Sequence, residues 1–259
     1  MKRIIRLLIA YDGSAYCGWQ RQRQGEVTVQ ATLEKCLHTL CGHFPTVHGA
    51  GRTDAGVHAQ GMVAHFHTSV GHPLAAFSKG LNSLLPPDIR ILNAQEAATG
   101  FHSRFSAWAK TYRYDFYTEP VMLPTHRLYM AHLPGAFDPE PARQALGQLL
   151  GTHDFSSFER SGSRDLSNPG GRGAVRTLMQ AECQPMTQMA YGWSLRLQGD
   201  GFLRQMVRII AGTIIEVGQG KRSPESVAQI LAAKDRKAAG QTAPACGLFL
   251  EEVHYPFSA

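Results

Sequence analysis

The sequence predicts an α+β fold built from two β-α-β-β-α-β halves, residues 1–104 and 105–259. Two observations lead to this prediction. Stretches with strand and helix periodicity follow one another in that order through the first half, and the same order then repeats without obvious sequence repetition. Each half is therefore expected to be ferredoxin-like, an antiparallel sheet with helices on one face, and the two open sheet faces are expected to form a central cleft.

The first half begins with a strand at residues 3–11 and a polar loop, and continues with a helix whose apolar residues recur at helical spacing until Gly42 ends it. Two strands, 46–50 and 57–67, then flank the turn "GRTDAG". The helix "PLAAFSKGLNSLL", which opens with Pro73, and the strand "DIRILNAQEA" complete the predicted half.

The second half follows the same order of elements. Its predicted strands are "AWAKTYRYDFYT", "AVRTLMQAEC", "YGWSLRLQG" and "GLFLEEVHY", and its helices are "PEPARQALGQLLG", "GFLRQMVRIIAGTIIEV" and an additional "SPESVAQILAAK". The loop "ERSGSRDLSNPGGRGAVR" is rich in Gly, Ser and Arg, so it cannot pack a core. It is expected either to drape over the cleft or to be mobile.

Composition and charge restrict the class of protein. A hydrophobic content of 43% and a charged content of 18% indicate a globular chain, and the net charge of +6 with a pI near 9.2 favours an acidic partner such as a nucleic acid. The five cysteines are odd in number and lack CxxC spacing, which favours the reducing cytoplasm over a disulfide framework or a zinc ribbon. No stretch is long enough to span a membrane, and the N-terminal run is interpreted as a strand.

One aspartate stands out by its setting, since Asp54 lies among glycines in "HGAGRTDAGVHAQGMVAHF", beside Arg52 and His58. Glycines at this density let the backbone turn sharply and let a ligand approach closely. A purely structural interpretation is that Asp54 closes a turn and pairs with Arg52. A functional interpretation requires partners from elsewhere in the chain.

Two further stretches offer such partners. In "FLRQMVRIIAG", Arg204 and Arg208 are four apart and are expected on one helical face, either as a solvated basic stripe or as a phosphate or carboxylate site. In "KTYRYDFY", Tyr112 and Tyr114 share one strand face and Arg113 takes the other. Aromatic residues in this pattern belong either to the core or to a platform for a base.

With these motifs in view, the chain resembles the TruA family of tRNA pseudouridine synthases, bacterial type. The resemblance extends over almost the whole length, through "AYDGSAYCGWQRQ", "VQATLEKCL", "GAGRTDAGVHA", "FHSRFSAWAKTYRY", "DFSSF", "FLRQMVRIIAGT", "LAAKDR" and "APACGLFLEEVHY", in family order. The element "GRTDAGVH" is highly specific for that family.

The resemblance implies a pseudouridine synthase fold with a central catalytic cleft. It implies that Asp54 is the catalytic nucleophile, that Arg208 pairs with it, that Tyr112 meets the target base, and that Arg52 helps to place the RNA. It further implies isomerisation of uridine at positions 38, 39 and 40 in the anticodon arm of tRNA, by a cytoplasmic homodimer without a metal or an organic cofactor. Whether Asp54 attacks the uracil or the ribose, and whether Tyr112 removes the proton from carbon 5, stays open.

Further basic residues are candidates for contacts with RNA phosphates. Arg21, Arg23 and Arg104 are the ones selected, although scattered charges more often form solvated surface. The loop at 160–174 is expected to influence which tRNAs are taken.

Two other classes of function compete with this interpretation. The twelve histidines, with His65 and His67 on one strand face, suggest a metallohydrolase, but no HExxH motif is present and the cysteines are poorly spaced. Alternatively, two such sheets make a non-catalytic RNA-binding module. A module of that kind has no use for a glycine-flanked aspartate that faces an anionic ligand.

Overall fold

Strands and helices are mixed along the whole chain in a computed structural model of the protein, which describes residues 3–22, 25–162 and 172–256. This arrangement confirms the predicted α+β class. The chain divides into two units: Met1–Lys110 together with Phe249–Ala259, and Thr111–Leu248. The first unit thus takes its last strand from the C-terminal end of the chain.

The first unit has the predicted order of elements. In chain order they are β1 (Arg3–Tyr11), α1 (Val29–Cys41), β2 (His48–Gly49), β3 (His58–Thr68), α2 (Leu81–Leu84) and β4 (Ile89–Ala97). Antiparallel pairing joins β1 to β3 and to β4. The C-terminal strand β10 (Leu248–His254) pairs with β3 in parallel, so the strand order is β4-β1-β3-β10.

Alternation along β1 places Ile5, Leu7 and Ile9 on one face, and all three are fully buried. Leu33 and Leu37, four residues apart on α1, are buried as well. These side chains form the core of the first unit. The apolar periodicity that predicted β1 and α1 therefore marks the residues that stabilise them.

Both ends of α1 follow from local chemistry. The side chain of Thr28 accepts a hydrogen bond from the backbone N–H of Ala31, which caps the first turn. Gly42 adopts the left-handed conformation with φ of 73° and donates its N–H to the carbonyl of His38. The predicted stop at Gly42 is confirmed.

The second predicted helix of this unit is interrupted. Residues Ala76–Gly80 form a π-helical segment, and only Leu81–Leu84 are α-helical. The N–H of Leu81 donates to the carbonyl of Ala76, five residues earlier, which widens the turn. A pattern of apolar residues predicts a helical face but carries no signal for this wider turn.

The second unit contains more elements than predicted. They are β5 (Ala109–Tyr117), β6 (Ala131–His132), α3 (Pro139–Gly147), β7 (Gly151–Asp154), β8 (Val175–Pro185), β9 (Gly192–Gly199), α4 (Met206–Gly218) and α5 (Ser226–Ala233). The strand order is β5-β9-β8-β7, and β6 pairs with β5 in parallel. β6 and β7 were not predicted, because β6 has only two residues and β7 is a short polar strand without buried residues.

The start of α4 differs from the prediction, and this corrects the expectation that Arg204 and Arg208 share one helical face. The helix begins at Met206, because Gln205 is left-handed with φ of 62° and interrupts the helical path. Arg204 therefore precedes the helix, and the two arginines do not share a helical face. The apolar periodicity begins at Phe202, before the first residue of the helix, so the periodicity does not mark where the helix starts.

Among the described residues, no helix combines the length and the apolar character needed to cross a membrane.

Candidate active site

Asp54 lies in the tight connection between β2 and β3, as predicted for "GRTDAG". The two strands are antiparallel, with His48 opposite His65. The N–H of Val57 donates to the carbonyl of Asp54 over 3.2 Å, and Gly56, with φ of 76°, supplies the left-handed residue of this turn. Asp54 itself is half-buried, so its carboxylate belongs to the surface of the first unit rather than to its core.

The loop between β1 and α1 holds both sides of this turn. The N–H of Trp19 donates to the carbonyl of Thr53 over 3.1 Å, and the N–H of Gly56 donates to the carbonyl of Tyr16 over 3.3 Å. The hydroxyls of Thr53 and Tyr11 are 2.8 Å apart and buried. Hydrogen bonds therefore fix the residue before Asp54 and the residue two after it.

Close backbone contact between the two segments depends on glycine. A Cβ atom at Gly18, where φ is 94°, would lie 2.5 Å from the carbonyl oxygen of Thr53. A Cβ atom at Gly49 would lie 2.6 Å from the ring of Trp19, which is only 1% exposed. Gly49 belongs to the glycines expected to permit close contact around Asp54, whereas the sequence did not identify Gly18 and Trp19 as its support. The available signal was the motif "AYDGSAYCGW", in which two glycines alternate with aromatic residues.

The supporting loop is itself anchored to the first unit. The N–H of Gly13 donates to Nδ1 of the buried His58 over 3.1 Å, and the hydroxyl of Tyr16 donates to Asp88 over 2.6 Å. Burial and the bond to Asp88 raise the pKa of Tyr16, so this phenol stays protonated. The hydroxyl of Tyr16 therefore remains a donor to Asp88 through neutral pH.

Arg52 shares the turn with Asp54 but is exposed. Its Nε donates to the side-chain carbonyl of Gln20 over 3.2 Å, and Gln20 in turn donates to Gln30 on α1. This chain of amide groups sets the direction of the guanidinium. Arg52 is thus held at the surface beside Asp54, and its role in placing the RNA stays a prediction.

The remaining basic candidates of the first unit differ in their surroundings. Arg21 forms a 2.8 Å ion pair with Glu34, a buried carboxylate that also accepts the N–H of Val47. This pairing gives Arg21 a structural role in neutralising a buried charge. Arg104 is exposed, and Arg23 lies outside the described residues.

Tyr112 lies in β5, in the second unit, and is 7% exposed. Its ring meets that of Phe202 edge to face, with the centroids 4.9 Å apart. Tyr114 is fully buried, and its hydroxyl donates to the carbonyl of Pro244 over 2.9 Å. Tyr114 is therefore a core residue, whereas Tyr112 retains a small exposed area.

Arg208 lies in the first turn of α4, also in the second unit, and is half-buried. Its Nε donates to the carbonyl of Ala243 over 2.8 Å, and the N–H of Ala243 donates to the carbonyl of Arg208 over 3.1 Å. The planar guanidinium is consequently oriented by a bond at one of its five N–H groups. Such an oriented fork suits a carboxylate or a phosphate.

The predicted site residues thus belong to two groups. Asp54 and Arg52 occupy one turn of the first unit, and Tyr112 and Arg208 belong to the second unit. Within the part of the chain that the structure describes, no three His, Cys, Asp or Glu side chains are placed to hold a metal ion. The metallohydrolase alternative therefore lacks a ligand set there.

Comparison with known proteins gives a consistent result. A family model described as tRNA pseudouridine synthase matches residues 7–106 and 145–256. Asp54, Arg52 and Arg208 fall within the matched ranges, and Tyr112 falls between them.

Individual relatives match over almost the full length. The chain is 49% identical over 253 residues to tRNA pseudouridine synthase A 1 of Desulfotalea psychrophila, covering 98% of this chain and 100% of the relative. It is 46% identical over 255 residues to tRNA pseudouridine synthase A of a Geobacter species, covering 98% and 99%. It is 45% identical over 254 residues to the enzyme of that name from Citrifermentans bemidjiense, covering 98% of each chain.

Proposed function

The chain belongs to the tRNA pseudouridine synthase family, and from that premise we propose that it isomerises uridine to pseudouridine in tRNA, at positions 38, 39 and 40 of the anticodon arm. The observation that supports this most strongly is the match of the family model to both units, over ranges that include the Asp54 turn and α4. The positive net charge of +6 agrees with a polyanionic substrate.

The reaction is an isomerisation, so it needs no co-reactant. The bond between N1 of uracil and C1′ of ribose breaks, the ring turns, and a bond forms between carbon 5 and C1′. Carbon 5 then loses its proton and N1 gains one. The protein must supply a group that stabilises or captures the separated fragment, a base for the proton, and walls that hold the ring.

Asp54 is the proposed nucleophile. Its turn is hydrogen-bonded on both sides, which fixes the backbone that carries the half-buried side chain. A preorganised carboxylate loses little conformational freedom when the substrate arrives. Two close glycine contacts maintain this geometry, which a simple connecting turn would not require.

Arg208 and Tyr112 are the proposed partners of Asp54 from the second unit. A guanidinium keeps its proton at all relevant pH values, so Arg208 donates hydrogen bonds to a carboxylate without competing as a base. The ring of Tyr112 is held edge to face by Phe202, which suits a wall against which a flipped uracil packs.

The proposal includes the state of assembly and the location of the protein. A cleft formed by one chain of 28.4 kDa contacts only part of a tRNA, so we propose a homodimer that shares one tRNA, acting in the cytoplasm. Light scattering at micromolar concentration should give twice the mass of the chain. A fully active species with the mass of a single chain would contradict the dimer.

The function is tested with tRNA labelled with tritium at carbon 5 of uridine. The purified protein should release tritium in the presence of a chelator and without added cofactor, and mapping should place pseudouridine at positions 38 to 40. Binding of tRNA without release of tritium would favour the non-catalytic RNA-binding alternative. Release from uridines elsewhere in the tRNA would retain the chemistry but contradict the proposed sites.

A further inference from the structure

A second surface of the first unit combines an exposed aromatic ring with a guanidinium. Phe105 is 76% exposed, an unusual state for so large an apolar side chain. The guanidinium carbon of Arg104 lies 5.6 Å from the centre of the Phe105 ring. These two residues lie in the connection between β4 and β5. We name residues 102–106 of this connection the 102–106 turn.

The 102–106 turn is rigid because His102 ties it together. Nδ1 of His102 accepts the backbone N–H groups of Arg104 and Phe105, at 3.1 and 3.4 Å. The N–H of His102 donates to the hydroxyl of Ser106, and the N–H of Ser106 donates to the carbonyl of His102. Arg104 and Phe105 are therefore exposed on a fixed backbone and not on a loose one.

Ser103, fully buried, attaches this turn to the rest of the first unit. Its N–H donates to Nδ1 of His65 over 3.1 Å, and its hydroxyl donates to the carbonyl of His48 over 2.6 Å. Its carbonyl accepts the hydroxyl of Tyr255 over 2.6 Å. The bonds to His48 and His65 link the turn to β2 and β3, the hairpin that also carries Asp54.

Imidazole rings surround the base of the turn. The ring of His102 lies 4.7 Å from that of His65 and 5.6 Å from that of the exposed His48, while the exposed His67 lies 5.7 Å from His65. These groups carry no negative charge in either protonation state. The surroundings of Arg104 and Phe105 are thus compatible with an approaching polyanion.

We propose that Phe105 is a stacking platform for an unpaired base of the RNA substrate and that Arg104 contacts the phosphate next to that base. Every base has a flat π-face that stacks on an aromatic ring, and a neighbouring guanidinium binds the adjoining phosphate. An apolar ring on a fixed backbone loses little conformational entropy when a base stacks on it. The site therefore binds a single-stranded segment and not a duplex, in which the bases are already stacked.

This inference rests on the proposed function only in identifying the RNA as tRNA. Binding is therefore measured without turnover, with a labelled anticodon stem-loop and with a blunt RNA duplex of equal length. Phe105→Leu should weaken binding of the stem-loop about 10-fold or more and leave binding of the duplex unchanged, whereas Phe105→Tyr should retain the wild-type affinity. Saturating RNA should restore the wild-type rate of tritium release in the Leu variant.

Phe44 provides the matched control, since it is 66% exposed in the same unit and its ring contacts that of His38, as the ring of Phe105 contacts that of His102. Phe44→Leu should leave binding of both RNAs unchanged. The salt dependence tests Arg104, because Arg104→Gln should lower the slope of log affinity against log salt by about one, and Arg104→Lys should not.

The proposal is overturned by any of three results. The first is that Phe105→Leu and Phe44→Leu have the same effect on stem-loop binding. The second is that Phe105→Leu weakens binding of the duplex as much as binding of the stem-loop. The third is that Phe105→Leu changes the mass of the particle in solution. The last result would make Phe105 a contact between copies of this chain. If the wild-type protein releases no tritium but Phe105→Leu still weakens stem-loop binding selectively, the proposed function fails and the stacking platform stands.

Discussion

The turn that carries Asp54 and the start of the helix that carries Arg208 are held in different ways. Backbone hydrogen bonds from a second loop fix Asp54 on both sides, and close glycine contacts leave no room for adjustment. Arg208 follows a left-handed Gln205, and the bond from its Nε to Ala243 orients its side chain. Asp54, the proposed nucleophile, is thus positioned by the backbone, and Arg208, its proposed partner, is oriented through its side chain.

This difference predicts which substitutions each region tolerates. A backbone-positioned group should be sensitive to small changes in neighbouring residues that never touch the substrate. A side-chain-positioned group should be sensitive mainly to its own chemistry.

Among substitutions other than at Asp54 itself, the largest effect is expected for Arg208→Lys. Lysine keeps the charge but loses the planar fork and the Nε donor to Ala243, so the turnover rate should fall about 100-fold or more, roughly 2.7 kcal/mol, while tRNA affinity changes little. Single-turnover rates and binding constants measure this. Arg204→Lys, just before the helix, is the control and should match wild type. Equal losses of rate and affinity would make Arg208 an ordinary phosphate contact.

Gly18→Ala tests the close contact beside Asp54. The left-handed φ and the approach to Thr53 together should lower the free energy of unfolding by about 2 kcal/mol or more. Gly100→Ala separates the two causes, because Gly100 has φ of 90° with no atom within 4 Å of the added Cβ. Denaturant unfolding should show a larger loss for Gly18 than for Gly100. Equal losses would show that the contact with Thr53 does not matter.

Acid should weaken the hairpin that carries Asp54. Burial, and then the neighbouring histidines, lower the pKa of His65 to about 4 from its ordinary 6.5. The imidazole of His65 therefore binds a proton below pH 6.5 in the unfolded chain, but only near pH 4 in the folded protein. As a result, the free energy of unfolding from this group is at its full value above pH 6.5 and falls as the pH drops towards 4. The expected slope from this group is about 1.4 kcal/mol per pH unit.

His65→Asn removes this titrating group and keeps an acceptor for the N–H of Ser103. Unfolding of the variant between pH 6.5 and 4 should show a shallower dependence on pH than wild type, by up to one proton. An unchanged slope would show that His65 does not titrate differently in the folded and unfolded states.

The smallest effect is expected at the buried bond between Thr53 and Tyr11. Thr53→Val should destabilise the protein by about 1 kcal/mol and reduce kcat up to roughly 10-fold without changing KM, whereas Thr53→Ser should behave as wild type. Tyr11→Phe should have the same effect as Thr53→Val. The double variant should be no worse than either single one, and fully additive losses would contradict a shared bond.

The sequence predicted the features that local chemistry determines. The Gly42 stop of α1, the alternation of β1 and the turn at Asp54 follow from glycine conformation and apolar periodicity, and all three are confirmed. The predicted start of α4 was wrong, because the apolar pattern extends to residues before Gln205, where the backbone is left-handed and the helix has not yet begun.

Contacts between distant segments could not be predicted from the sequence for a different reason. The bond between Trp19 and Thr53 joins residues from two loops, and nothing in either loop alone specifies the other as its partner. The same holds for Ser103, which links the 102–106 turn to β2 and β3. Single-sequence patterns identify residues with unusual surroundings but do not show which of them meet.

Single-turnover release of tritium by Asp54→Asn tests most directly whether Asp54 is the catalytic carboxylate. Asparagine keeps the size and the turn preference of aspartate but is a far weaker nucleophile. Asp138→Asn is the matched control, since Asp138 caps α3 by accepting the N–H of Glu140. We expect the control to match wild type, and Asp54→Asn to fold, to bind tRNA at least as tightly, and to lose several orders of magnitude in rate. A residual rate above about a tenth of wild type, a loss of less than about 1.4 kcal/mol, would reduce Asp54 to a turn residue and contradict the mechanism.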